Sequence, residues 1–378
     1  MAFFASLAAL FILSGMVAKV FYELWLKPLQ IQRMMARQAI RGPPPHFIYG
    51  NNREVTQMRE DASSKPMNYL SHDIFPRVMP HIAAWTAAYG KNYLNWFGME
   101  VQLVITEPEL IKEVLNSKDR VFHKAPSHSF LKKILGNGLI LSEGDKWANM
   151  RKLANHAFHG ECLKGMVPDM VDSTRMMLDR WKDHKGREIE VFKEFTFLTS
   201  EAISRTAFGS SYVEGRRIFE MLTRLTVLAA KNAFSVGIPG IRRIWKTADQ
   251  AEGDRLQRAM RDAVLQIMEK REEKVAAGEI DGFGNDFLGM LIKASRDTDD
   301  LKRITVDDLI DECKTFYIAG QETTNTMLVW TTFLLAAHPN WQEEARKEIL
   351  HVFGNTKDPN ADGIARLRTV RKPIRSQH

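Results

Sequence analysis

Two cysteines, Cys162 and Cys313, are all that the 378 residues contain, and they stand far apart with no paired spacing. A disulfide framework is thereby excluded, and the bulk of the chain is expected in a reducing compartment. Internal repeats, low-complexity tracts, zinc-finger spacing and basic-aromatic repeats are also missing, which speaks against a nucleic-acid module. Nor do strand and helix signals alternate, so a parallel βαβ sheet is not expected.

What is present is ordinary for a globular protein. Hydrophobic residues make up 44% and charged residues 26%, enough to bury a large core in one big domain or two. The formal charge of +7 comes from Lys and Arg spread along the chain and interleaved with Asp and Glu. Such a surface suits anionic lipid headgroups or an acidic protein partner.

Ala2 to Ala18 form an uncharged apolar run, followed by Lys19 and then Val20, Phe21 and Tyr22. A spanning helix needs about 17 to 25 apolar residues, so the run suffices if Lys19 snorkels to the interface. Lys19, Lys27, Arg33, Arg37 and Arg41 all follow it and no basic residue precedes it. The positive-inside rule then leaves the N-terminus lumenal and the body cytosolic. Residues 1–24 are read as a transmembrane anchor, with a cleaved signal or a buried helix as alternatives. Residues 25–50 are read as a basic, proline-rich hinge, because Gly42-Pro43-Pro44-Pro45 cannot continue a helix.

Beyond the hinge the pattern predicts a mainly α protein with a small β region. The strand signal runs from Tyr93 to Thr106, with a turn at Gly98, and a helix is expected from Thr106, with Pro108 in its first turn. Helical faces are expected at Met170, Thr174, Met177, Leu178 and Trp181, and at Leu256, Met260, Ala263, Val264 and Ile267. Gly278 to Asn285 reads as a loop.

The most informative stretch is a long helix between Thr305, with Asp308 three residues on, and His338-Pro339. Into its apolar middle falls Ala319-Gly320-Gln321-Glu322-Thr323-Thr324. A mid-helix Gly costs about 1 kcal/mol against Ala, Thr hydroxyls can bond back to the preceding turn, and a buried Glu needs a partner or a proton. Three unfavourable choices together predict a functional kink where an acid and an alcohol relay protons. The plainer alternative is a solvent-facing turn of an amphipathic helix.

The stretch D-E-C-K-T-F-Y-I-A-G-Q-E-T-T, from Asp311 to Thr324, resembles the oxygen-activating central helix of plant-type, membrane-anchored cytochromes P450. The resemblance implies that Ala319 and Gly320 lie against haem, and that Glu322 and Thr323 are catalytic, supplying protons for dioxygen activation. Trp147-Ala-Asn-Met-Arg151 resembles the segment in which Trp147 and Arg151 bind a haem propionate. Residues four apart share a helical face and a guanidinium suits a carboxylate. Taken alone, this pair also describes a surface Arg over a packed Trp. Ala207 to Tyr212, His338 to Gln342 and Gly363 to Arg368 resemble further family signposts. Phe130, Leu131, Ile134, Leu135, Phe234, Val236 and Ile238 fall in segments that shape the family's substrate pocket, and are equally consistent with core packing.

By this resemblance residues 51–370 are an incomplete P450 domain and 371–378 a divergent tail. The expected fold lacks the C-terminal haem-thiolate portion, including its ligand cysteine. Cys162 and Cys313 read as structural thiols, and no histidine spacing suggests a replacement, so no metal ligand is assigned. The implied activity is monooxygenation of a terpenoid, hormone or fatty acid at the endoplasmic reticulum membrane, with electrons from NADPH through cytochrome P450 reductase and no nucleic-acid partner. The chain as given is expected to be inactive. The alternatives are a non-catalytic, membrane-tethered interaction protein, or a splice or gene-model fragment without function.

Overall fold

A computed structural model of the chain describes residues 2–67, 71–117, 121–125, 129–210, 212–235, 246–299, 303–355 and 358–369. Val236, Ile238 and the tail 371–378, named above, lie outside them. The chain divides into two compact units, Met1–His123 with Lys231–Lys246, and Lys124–Ala230 with Thr247–His378.

In the first unit, helix α1 (Ala2–Phe21), a π-helical turn (Tyr22–Leu26) and α2 (Lys27–Arg37) follow one another without a break. Lys19 is the one basic residue in the last turn of α1, and Phe4, Leu10, Phe11 and Met16 are exposed on it. A spanning helix was expected here; among the described residues no helix is long and apolar enough to cross a membrane. The Gly42–Pro45 stretch is non-helical, as its prolines dictate, but it is fastened rather than loose. The Arg41 carbonyl accepts the Leu94 N–H at 2.9 Å, and the Pro44 carbonyl accepts the Asn51 amide at 3.1 Å.

Strands β1 (Asn92–Phe97) and β2 (Glu100–Ile105) pair antiparallel, Tyr93 opposite Val104 and Trp96 opposite Val101, around a turn with Gly98 at φ +58°. Two buried asparagines pin this hairpin: Asn51 accepts the Trp96 N–H at 3.0 Å and Asn52 accepts the Gly98 N–H at 2.9 Å. Trp85 on α5 (Pro80–Tyr89) and Val55 on α3 (Asn52–Ser64) close over Tyr93 in a small core that also takes in Phe234. The next helix, α6, begins later than its sequence predicts. A short helix α4 (Phe75–Val78) precedes α5, and α6 spans Pro108–Asn116 with Glu107 as its cap. Thr106 does not cap it, because its hydroxyl donates to the Lys91 carbonyl at 2.8 Å instead.

The second unit is helical among its described residues. It holds α7 (Ser129–Leu135), α8 (Gly144–Ala157), α9 (Gly160–Gly165), α10 (Val167–Lys182), α11 (Val191–Phe208) and α12 (Tyr212–Asn232, as far as Ala230). After Thr247 come α13 (Ala248–Ala276), α14 (Phe287–Ser295), α15 (Val306–Ala337), α16 (Pro339–Phe353) and α17 (Ala361–Arg366). Leu256, Met260, Val264 and Met268 of α13 are buried at every fourth position, and Ile218, Leu222 and Leu225 of α12 meet the same core. Each such side chain contributes about 1.5 to 3 kcal/mol by leaving water. The predicted α10 face is only partly right. Met177 is buried, but Met170 and Leu178 are exposed, because the inward row runs through Ser173 and Met177.

Phe130, Ile134 and Leu135 are buried in this core, whereas Leu131 is exposed. Their burial is core packing.

Candidate functional site

Helix α15 starts where its sequence dictates. Thr305 accepts the Asp308 N–H at 3.1 Å and Asp308 accepts the Thr305 N–H at 3.1 Å, a reciprocal capping box. At the other end His338 closes the helix before Pro339 opens α16. Helix runs unbroken across Ala319 to Thr324. The Thr323 hydroxyl does bond back to the Ala319 carbonyl, at 2.6 Å. That bond adds to the backbone ladder without replacing an N–H, so the turn survives.

Around Gly320 the fold gives a packing reason for the missing side chain. A Cβ there would lie 2.6 Å from Cδ1 and Cγ1 of Ile203 on α11. Small size at this position therefore lets α11 and α15 approach.

Ala319, Glu322 and Thr323, spaced to share one helical face, are all exposed. Glu322 is not buried, so the desolvation cost foreseen for it does not arise. Further along α15, Met327, Trp330 and Phe333 are exposed as well. On α8, Trp147 is 42% exposed and Arg151 is exposed, with no ion-pair partner among the described residues.

The buried side of α15 carries groups that the sequence did not single out. Beside the apolar Leu309, Ile310, Cys313 and Tyr317 stand Glu312, Lys314, Gln321 and Asn325, all buried. Glu312 accepts the Leu139 N–H at 2.7 Å, Asp311 accepts the Asn137 N–H at 2.7 Å, and the Thr315 hydroxyl donates to the Leu135 carbonyl at 3.0 Å. These three bonds strap the segment after α7 onto α15. Gly136 is required there: its φ is +63° and a Cβ would strike the Asp311 side chain at 2.1 Å. Lys314 pairs with Asp311 at 2.6 Å, and Lys146 on α8 pairs with Asp308. Burial raises the Asp308 carboxyl, but the bonds from Lys146 and Thr305 outweigh it and hold the group below its ordinary range. Glu312 shows the opposite balance: burial pushes it up to about 7, against the opposing Leu139 N–H. Deeper in, Asn325 donates to Thr196 on α11 at 2.9 Å. Glu312 is buried where the segment after α7 docks on α15, and Glu322 is exposed.

The family model described as Cytochrome P450 matches residues 77–375. The chain belongs to the cytochrome P450 family. The match reaches into the tail read above as divergent. The chain is 51% identical over 349 residues to Cytochrome P450 CYP749A22 of Panax ginseng, covering 92% of this chain and 66% of that one. It is 38% identical over 367 residues to Cytochrome P450 734A1 of Arabidopsis thaliana, covering 95% and 69%. The crystal structure of the cytochrome P450DA heme domain matches with a TM-score of 0.61 at 21% identity, over 88% of this chain and 67% of that one, a likeness of fold. The chain thus spans about two thirds of the length of these P450 relatives.

Family membership implies haem, and the residues present meet it only in part. An exposed Arg151 beside Trp147 suits a carboxylate, and an exposed small residue at Ala319 leaves room for a flat ring. Axial ligation is another matter. Cys313 is buried in the apolar core, where burial pushes its thiol upward and keeps it protonated. Cys162 is half-buried, with its sulfur 3.8 Å from the His156 carbonyl. Neither thiol of this P450 chain fits the role of thiolate ligand.

Proposed function

We propose that this chain serves haem-dependent monooxygenation of a lipophilic small molecule such as a terpenoid, hormone or fatty acid, with electrons from NADPH relayed by a membrane reductase. The observation that carries the reading is the uncovered face of α15, where Ala319, Glu322 and Thr323 stand together in the A-G-Q-E-T-T segment of a cytochrome P450. Thr323 Oγ1, held by its bond to the Ala319 carbonyl, keeps its lone pairs available to receive a proton. Glu322, one residue before it and open to solvent, is the acid that supplies one. Ala319 keeps the surface low, while Gly320 lets α11 approach on the inner side, and Trp147 with Arg151 receive the carboxylates of the cofactor. The 378 residues do not ligate haem through a thiolate by themselves, since neither cysteine is placed to do so. Thiolate ligation is what favours O–O cleavage, so on this reading the activity depends on a thiolate other than Cys162 and Cys313.

Membrane attachment belongs to the same reading. The exposed apolar residues of α1 and the basic residues that follow it support anchoring in the endoplasmic reticulum membrane, N-terminus lumenal and body cytosolic. Resistance to alkaline carbonate extraction, lost on deleting residues 2–24, is the expected result.

The catalytic reading is tested in two steps. Reduced chain with added haem and carbon monoxide is expected to lack the absorption band of a thiolate-ligated ferrous-CO haem; its appearance would overturn the ligation argument. A chimera in which residues 1–370 are followed by a cysteine-bearing P450 segment is expected to show that band and to oxidise lipophilic substrates with reductase and NADPH. Glu322→Ala and Thr323→Ala in the chimera should divert NADPH consumption from product by about a hundredfold, the low end of about 10²–10⁴ for general acid–base groups. Unchanged coupling would remove both residues from the mechanism.

A further inference from the structure

A cleft of about 120 Å³ in the second unit lies away from the A-G-Q-E-T-T segment and is lined by Gly209 and Ser210 after α11, Arg217 on α12, and Lys270, Arg271 and Lys274 on α13. Four cationic side chains meet there, and no carboxylate is among the described residues that line it. Drug-sized pockets run to roughly 300–1,000 Å³, so this one takes a headgroup rather than a whole metabolite.

The cations are not equivalent. Arg271 belongs to the framework: it pairs with Asp286 at 2.9 Å and donates to the carbonyls of Phe208 at 2.7 Å and Phe283 at 2.9 Å. Arg217 and Lys274 are exposed and have no ion-pair partner among the described residues. The Ser210 hydroxyl oxygen is buried without a hydrogen-bond partner, although its residue lines the cleft. A buried hydroxyl left unsatisfied is costly and needs an explanation. A tetrahedral oxyanion gives one, because its several oxygens can accept from a hydroxyl, a guanidinium and an ammonium at once.

We propose that the cleft binds a phosphate monoester, with Arg217, Lys274 and Ser210 as its donors and Arg271 as the fixed wall behind them. The dianion formed above the second phosphate pKa of about 6 is the preferred form, so binding strengthens from pH 5 to pH 7.5. The same chemistry is offered by free phosphate and by the headgroup of phosphatidic acid.

Isothermal titration of the full chain in neutral detergent tests this with two probes, inorganic phosphate and dihexanoylphosphatidic acid, with dihexanoylphosphatidylcholine as the zwitterionic comparison. Saturable binding of either phosphate probe is expected, weakened at least tenfold by Arg217→Gln with Lys274→Gln and unchanged by Lys112→Gln, which removes a positive charge in the other unit. Tighter binding of the lipid identifies a membrane headgroup; equal binding identifies free phosphate. Phosphate should also raise the melting temperature of the wild-type chain and not that of Ser210→Ala, a readout that does not depend on the double variant folding. Absence of binding to the wild-type chain, or equal weakening by Lys112→Gln and by the double variant, overturns the proposal.

Discussion

Glu312 on α15 accepts the backbone N–H of Leu139 at 2.7 Å, and the two residues lie 173 positions apart in the chain. Burial raises the carboxyl from an ordinary 4.5 to about 7, with Asp308 and Asp311 adding to the rise while the Leu139 N–H and Lys146 oppose it. Between those values the folded chain holds a proton that the unfolded chain has released. Stability therefore falls as pH rises through the window, by an order of magnitude of ~3 kcal/mol at about 1.4 kcal/mol per unit. Thermal melts from pH 4.5 to 8 should show this decline in the wild type, and Glu312→Gln, which keeps the acceptor oxygen, should flatten it. A parallel decline in both proteins would mean that Glu312 is not the titrating group.

Gly320 and Ile203 make a steric pair across α11 and α15. Gly320→Val is expected to cost about 1–3 kcal/mol by overpacking, set against about 1 kcal/mol returned by a better helix former at best. Ile203→Ala in the same chain should recover part of the loss, because it empties the space that the new side chain meets. A double-mutant cycle in urea measures this, and strict additivity would show that the two side chains do not compete.

The beginning and end of α15 were legible in the sequence for a physical reason: a capping box and a His-Pro step act on residues three or four apart. Thr305→Ala should accordingly cost about 1 kcal/mol, read as a lower midpoint in chemical denaturation with an unchanged slope. The β1–β2 hairpin was legible for the same reason, its turn set locally by Gly98. What was not legible depends on docking. Glu322 was expected to be buried and is exposed, while Glu312 went unremarked and is buried. Thr106 was expected to cap a helix but is drawn off by the Lys91 carbonyl, an acceptor 15 residues away. The roles of Trp147 and Arg151 came from family resemblance, since an arginine four residues after a tryptophan has many structural uses.

Arg271 separates framework from ligand binding in the basic cleft. Its side chain is 11% exposed and ties α13 to Asp286, itself the N-cap of α14, and to the last carbonyl of α11. Removing it leaves a mostly buried carboxylate and two carbonyls without their donor, so Arg271→Ala should cost about 3–5 kcal/mol. Arg271→Lys should recover only part, because an ammonium cannot reach three acceptors from one planar fork. Asp286→Asn should be milder, since an amide oxygen still accepts the Gly289 N–H that Asp286 now holds at 2.8 Å. Arg217→Gln and Lys274→Gln, exposed and outside this network, should shift stability by less than about 0.5 kcal/mol. Denaturant unfolding of the five variants in phosphate-free buffer measures the order. If Arg271→Ala proved as mild as Arg217→Gln, the guanidinium would be a mobile ligand group rather than the fixed wall of the cleft.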